Sequence, residues 1–285
     1  MSSFQNSLGA LLAAGKAQLE KYVDSPKLDA ELLLSLALGV DRATLYANPD
    51  REIGKQKITL YQEYIRKRSQ GLPIAYLTGK KEFWSLAIDV TQNTLIPRPE
   101  TEILVERTLE RIPIDKKLEI LDLGTGSGAI SAAIATERLE CSITATENNY
   151  LSLKVAERNF ARLCPDRINT QYGNWFEPLN STNKRFDVIV SNPPYIALNE
   201  KDLTDKETKF EPETALYSGE DGLNAIRIIC HKAPNYLKSK GWLILEHGFS
   251  QAEKVARILT EEGFYNVKSF NDLNGHTRVT EGQIN

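Results

Sequence analysis

The sequence has few of the residues that staple or ligate. Its cysteines number only 3 and its histidines only 3 in 285 residues. Cys141, Cys164 and Cys230 are odd in number and show no C-x-x-C spacing, which argues against a disulfide framework and against a zinc site. They are expected to be buried, reduced thiols. The adjacent Cys230-His231 gains no partner, because His231, His247 and His276 share no ligand spacing, and no metal is assigned. An excess of one charge is also missing: 35 basic residues face 38 acidic ones, for a net charge of -3. No strong global field therefore draws the chain to nucleic acid or to an anionic membrane. The N-terminal stretch up to Val23 has no long apolar run and no arginine-rich, acid-free character. It is not expected to be a signal peptide, transit peptide or membrane anchor, and a cytoplasmic protein is expected. What remains, 41% hydrophobic and 26% charged residues, is enough for a soluble globular core in one or two domains.

Along the chain, Leu8, Leu11, Leu12, Leu19 and Tyr22 recur at helical spacing with Gly15 on the same stripe, where a glycine weakens a helix by about 1 kcal/mol. Ser25-Pro26 offers an N-cap and a first-turn proline for a second helix through Leu28, Leu32 and Leu36, with Gly39 as its stop. Helical pattern continues to about residue 70. From Phe83 to Val90 the residues alternate, Gln92-Asn93 supplies a turn and Thr94 to Ile96 returns, which predicts a β-hairpin. Strands then follow at 118–123, 142–146, 186–190 and 242–246. Helices are expected at 129–136, 151–163 and 223–237. This βαβα order predicts an α/β fold with a mainly parallel sheet between helices.

Two segments carry chemistry. Asp122-Leu-Gly124-Thr125-Gly126-Ser127-Gly128 sits between a strand and a helix, where glycines let the backbone approach a ligand, and the next strand ends in Glu147, whose carboxylate can take both ribose hydroxyls. The loop predicts a nucleoside-bearing cofactor but also satisfies the dinucleotide fingerprint. The strand at Phe186 to Ser191 runs directly into Asn192-Pro193-Pro194-Tyr195. Two successive prolines stiffen that turn and remove two N–H donors. The Asn192 side-chain oxygen and the Pro193 carbonyl can each accept an N–H bond from a planar NH2 group, aiming its lone pair and stabilising the positive charge that develops as the nitrogen is alkylated. Tyr195 can stack on the flat group.

The aspartate before the glycines, the G-x-G-x-G spacing and the Asn-Pro-Pro-Tyr segment resemble the class I, Rossmann-like methyltransferases, with a mainly parallel seven-stranded sheet. In that frame Trp175, beyond the third strand, can stack on adenine. The tetrapeptide alone fits adenine N6, guanine N2 and glutamine N5 as acceptors. Arg68 to Gly79, Glu82-Phe83, Leu95 to Glu102, Glu211-Pro212 with Ala215-Leu216, Gly219 with Asp221 to Leu223, Arg227, Glu246 to Gly248, Gln251 and Arg278 together resemble the HemK/PrmC family of release-factor glutamine methyltransferases, over essentially the whole chain. The resemblance implies a helical substrate-recognition domain (1–80), a β-hairpin linker (81–98) and an S-adenosylmethionine-dependent methyltransferase domain (99–285). It implies transfer to the glutamine of the Gly-Gly-Gln loop of peptide chain release factors, and the near-neutral charge and lack of a long apolar run add the expectation of no membrane and no direct nucleic-acid partner. It also implies Gly124 to Gly128, Glu147, Trp175 and Asn192 for the cofactor and Asn192 to Tyr195 for the glutamine. Glu147 stands where aspartate is commoner in the family, and so does Asn174. Arg98 and Glu100 can shape the site or merely cap a domain linker, and Glu211-Pro212 can contact the substrate loop or merely anchor a loop.

Overall fold

The structure, a computed structural model, describes residues 6–203 and 207–285, without the side chains of residues 202 and 203. Its contacts divide the chain into two units, Met1–Lys80 with Asp205–Phe210 and Lys81–Thr204 with Glu211–Asn285.

The first unit is helical: α1 (Leu8–Leu19), α2 (Pro26–Leu38), α3 (Arg42–Ala47), α4 (Lys55–Ser69) and α5 (Ile74–Thr78). The Ser7 side chain caps α1 by accepting the Ala10 N–H at 3.4 Å. Ser25 makes no such bond, so α2 starts on the fixed φ of Pro26 and stops at Gly39, whose φ of 75° is left-handed. Gly15 is there for packing. A Cβ on it would lie 1.8 Å from the Tyr61 hydroxyl, which donates to the Leu11 carbonyl at 3.3 Å. Leu8, Leu11, Leu19, Leu33, Leu34 and Tyr61 form the core of this unit. A buried ion pair, Arg68 to Asp29 at 2.7 Å, ties α4 to α2.

A short hairpin, β1 (Lys80–Phe83) and β2 (Leu86–Asp89), leads into the second unit. The hairpin turns at Trp84-Ser85; Gln92-Asn93 is a turn as expected, closed by the Thr94 N–H donating to the Thr91 carbonyl at 2.9 Å, but Thr94 to Ile96 is not a strand, so no hairpin forms around it. Trp84 and Ser85 both take positive φ, 52° and 58°, as a tight hairpin turn requires. Neither is a turn residue by type. Tertiary bonds compensate: the Trp84 backbone N–H donates to Glu102 at 2.8 Å and its indole N–H to Glu137 at 2.9 Å. The Ile96 N–H, which a strand would have used, goes to the Glu211 carboxylate at 3.0 Å.

The second unit continues with α6 (Glu102–Glu110), β3 (Glu119–Leu123), α7 (Ala129–Glu137), β4 (Ser142–Glu147), α8 (Tyr150–Leu163), β5 (Ile168–Tyr172), β6 (Phe186–Ser191), α9 (Asn224–Lys232), β7 (Leu237–Glu246), α10 (Ala252–Glu261), β8 (Tyr265–Asn271) and β9 (Thr277–Gln283). Helix α9 is shorter than expected and Leu237 opens a strand, because Pro234 lies in a 3-10 turn that ends the helix. The strands form one seven-stranded sheet in the order β5-β4-β3-β6-β7-β9-β8. Strands β5 to β7 of that order are parallel, and β9 runs antiparallel to β7 and β8. Helices α6, α7 and α8 pack in series, while α9 packs on α10. Strand order reverses between β3 and β6, which pair through Leu123 and Ser191. The segments leaving these two residues diverge, and the crevice between them is where open α/β sheets bind ligands.

Candidate active site

A cleft of about 900 Å³ of empty space opens at the carboxyl ends of the central strands, walled by the glycine loop after β3, the end of β4 and the turn after β6. Gly124, Thr125, Gly126, Ser127, Glu147, Trp175 and Asn192 all line it, joined by Asn174, Pro194 and Thr101. Gly128, Pro193 and Tyr195 do not lie on its wall.

The glycine loop is held by carboxylates at both ends. Asp122 is fully buried; its Oδ2 accepts the hydroxyls of Thr125 at 2.6 Å and Ser131 at 2.7 Å. Its Oδ1 has no partner among the described residues, and burial pushes the carboxyl up to about 6 despite those two bonds. Glu147 accepts the backbone N–H groups of Gly126 at 2.9 Å and Asn149 at 2.8 Å, and burial raises its pKa too. A carboxylate has about four lone-pair sites, so Glu147 keeps acceptor capacity toward the cleft. Gly128 has φ 83°, and a Cβ there would sit 2.4 Å from Phe160. Its requirement is close packing of α7 on α8 rather than ligand approach. Trp175 adopts a positive φ of 49° that keeps its ring against Gly124, where a Cβ would meet it at 3.0 Å.

The turn after β6 is pinned from behind. Ser191 donates to the Leu123 carbonyl at 2.7 Å, fixing the turn against the glycine loop. The Tyr195 carbonyl accepts Gln251 Nε2 at 2.9 Å, and Gly222 approaches it so closely that a Cβ would lie 2.2 Å away. Asn192 donates from Nδ2 to Thr101 Oγ1 at 3.2 Å, which turns its Oδ1 acceptor away from Thr101. Tyr195 turns its hydroxyl inward, donating to Glu246 Oε1 at 3.2 Å. In this conformation its ring packs on the core and lies off the cleft wall.

Glu211 has a fully buried side chain that binds the Ile96 N–H and the Arg98 guanidinium. It anchors the segment before α6, while Pro212, Thr214 and Ala215 beyond it form cleft wall. Thr101 and Glu246 were not singled out by chemistry in the sequence. Thr101 lies in a proline-bounded linker and Glu246 ends a strand that follows no glycine loop, so neither carries a local signal of its own. The three cysteines are buried and unpaired, and among the described residues no helix is long and apolar enough to cross a membrane.

Residues 10–79 match the PrmC N-terminal domain and residues 99–209 the Methyltransferase small domain. A release factor glutamine methyltransferase of Coxiella burnetii is 45% identical over 262 residues, 92% of this chain and 93% of the relative. Another, from Xylella fastidiosa, is 43% identical over 274 residues, 96% of this chain and 97% of the relative. Among solved structures, a methyltransferase from Pyrococcus furiosus matches with a TM-score of 0.51 at 20% identity, covering 70% of this chain and 88% of that one, a likeness of fold alone.

Proposed function

Because the chain belongs to the release factor glutamine methyltransferase family, we propose that it transfers a methyl group from S-adenosylmethionine to the side-chain amide nitrogen (N5) of the glutamine in the Gly-Gly-Gln loop of a peptide chain release factor. The observation that carries this reading is the Asn192 amide, turned by Thr101 so that its oxygen is free to accept, on the same cleft wall as the glycine loop.

The cleft residues fit the cofactor. Glu147 has carboxylate lone pairs left for ribose hydroxyls, Trp175 offers an aromatic face for a purine, and Asp122 holds an unpartnered buried oxygen beneath the glycine loop. When bound, the cofactor supplies an electrophilic methyl group on a cationic sulfur. An amide nitrogen meets such a group poorly, because its lone pair is delocalised into the carbonyl. Asn192 Oδ1 would hold one of its N–H bonds, with the carbonyl of Pro193, a residue not itself on the cleft wall, assigned as acceptor for the other, turning the lone pair out of conjugation and stabilising charge as it grows on nitrogen. The rigid prolines keep those acceptors in place without reorganisation, and no base has to act first; as the N–C bond forms the methyl–sulfur bond breaks to leave a neutral thioether, and the alkylated nitrogen then gives up one proton to solvent. We assign grip on the protein substrate to the helical first unit, action to the cytoplasm, and no nucleic-acid partner, in keeping with a net charge of -3.

The test is methyl transfer from labelled cofactor to purified release factor, with RNA and DNA in parallel. Label in the release factor supports the proposal. Label in nucleic acid with an unmodified factor would replace it with an adenine or guanine amino methyltransferase using the same turn.

A further inference from the structure

Asn159, in the second half of α8, is a fully buried polar side chain behind the glycine loop. Its amide uses every proton and lone pair it has. Nδ2 donates to the Ser127 carbonyl at 2.8 Å and to the Asp89 carbonyl at 2.9 Å. Oδ1 accepts the Asp89 backbone N–H at 2.8 Å and the Arg162 guanidinium at 2.9 Å. All four partners are one-way groups: the two carbonyls can only accept, and the backbone N–H and the guanidinium can only donate. A flipped amide would meet like with like at every contact, so the groups around Asn159 fix which end faces Ser127.

Ser127 lines the cleft and Asp89 ends β2, so this one amide joins the glycine loop to the hairpin. On the same face of α8, Ser152 donates to the Gly126 carbonyl at 3.0 Å, and Ala156 and Phe160 leave no room for a Cβ on Gly128. Two successive carbonyls of the loop are thereby drawn back onto α8. The N–H of a trans peptide points opposite to its C=O, so the Ser127 N–H, which shares a peptide with the Gly126 carbonyl, is turned away from α8. Such a loop needs holding. Gly124 and Gly126 take positive φ, 72° and 59°, and glycine loses more conformational freedom on ordering than any other residue. A loop that is ordered only part of the time binds its ligand with affinity reduced by the ordered fraction.

We propose that Asn159 is a positioning residue for the cofactor: its donation to the Ser127 carbonyl keeps the glycine loop in its binding conformation before S-adenosylmethionine arrives. This rests on the cofactor reading above. Removing the tether lowers the ordered fraction in the free chain, and saturating cofactor selects the ordered loop again. Affinity therefore suffers while turnover at saturation does not.

The test is calorimetric titration of the full chain with S-adenosylmethionine, at a temperature where circular dichroism shows each variant folded. Thermal melting and release-factor methylation are measured on the same proteins. Asn159→Asp keeps the shape and the Oδ1 bonds but sets an oxygen against the Ser127 and Asp89 carbonyls; Kd should rise by about 10- to 100-fold. Asn159→Ala removes both donors and leaves room for water, and should raise Kd by about 5- to 20-fold. In both, KM for the cofactor should rise with Kd, while kcat at saturating cofactor stays within about threefold of wild type. A side chain that only braced the fold would lower the melting temperature and leave the Kd of the folded protein where it was. Folded variants with Kd within about twofold of wild type, or with kcat at saturation falling as far as affinity, would overturn the proposal while leaving the cofactor assignment intact. A wild-type chain that binds no S-adenosylmethionine would instead remove the cofactor reading, and the proposal with it. Should Asn159→Asp fail to fold, Asn159→Ala decides the matter.

Discussion

Replacing Glu147 by alanine separates cofactor binding from everything else the cleft does. In the structure its carboxylate already accepts two backbone N–H groups, from Gly126 and Asn149, so it organises the glycine loop and the start of α8. Both donors lie at the cleft, where water can replace the lost acceptor, so the folded state should lose only about 1–2 kcal/mol. Binding suffers more. Hydrogen bonds to a charged acceptor are worth about 1.5–3 kcal/mol each, and part of the loss is recovered by water in the empty cleft. A net loss of about 2–4 kcal/mol for ribose recognition weakens cofactor affinity by roughly 30- to 1000-fold. Calorimetric titration with S-adenosylmethionine measures this directly, and thermal melting checks that the fold survives. Glu147→Gln keeps the shape but turns one NH2 toward a backbone N–H, so its Kd should fall between the two. A Glu147→Ala protein that binds cofactor within threefold of wild type would refute the ribose assignment.

Three further outcomes follow from the geometry. Asn192→Ala should keep most cofactor affinity and lose kcat by roughly 10² to 10³-fold, as removal of one oriented transition-state contact does; near-wild-type turnover of release factor would contradict the role. Gly15→Ala should destabilise the helical unit by about 1–2 kcal/mol in urea unfolding, because the new Cβ meets the Tyr61 hydroxyl at 1.8 Å and overpacking outweighs the gain in helix propensity. A stabilised variant would show the contact to be slack. Asp122 has a folded-state pKa raised to about 6 from 3.8, so between those values the folded chain holds a proton the unfolded chain has released, and its stability falls as pH rises through that window. Asp122→Asn removes the dependence. Its melting temperature relative to wild type, without cofactor, should therefore climb from pH 4 to pH 6, and a flat difference would show the carboxyl to be unperturbed.

The order of elements and the family were legible because they rest on patterns spread along the chain. Apolar strands alternate with amphipathic helices from Leu118 onward, and the parallel sheet follows from that alternation. Local signals failed where tertiary contacts decide. Gln92-Asn93 is a turn, as its residue types suggest, yet no strand returns after it, and the hairpin turns at Trp84-Ser85, held by Glu102 and Glu137 from α6 and α7. Ser25 looks like a cap and makes no capping bond. Gly15 looks like a flaw in a helix and is a seat for Tyr61.

The same division runs through the candidate site. That Gly124 to Ser127, Glu147, Trp175 and Asn192 share one cleft was legible because strand ends and loops converge on one edge of a doubly wound sheet. The inward turn of Tyr195 was not visible, since it depends on Glu246, whose distance in sequence conceals that β6 and β7 lie side by side. For Glu211 a loop-anchoring role was among the readings, but its partners Ile96 and Arg98 were not visible, since they lie more than a hundred residues away along the chain.

The assignment of a glutamine amide as acceptor is tested most directly by mass spectrometry of release factor after incubation with the enzyme and S-adenosylmethionine. The account predicts one added methyl group on the Gly-Gly-Gln peptide, located on the glutamine side chain and absent with Asn192→Ala. An unmodified glutamine peptide under conditions where the cofactor is bound, or a methyl group placed elsewhere on the factor, would contradict it.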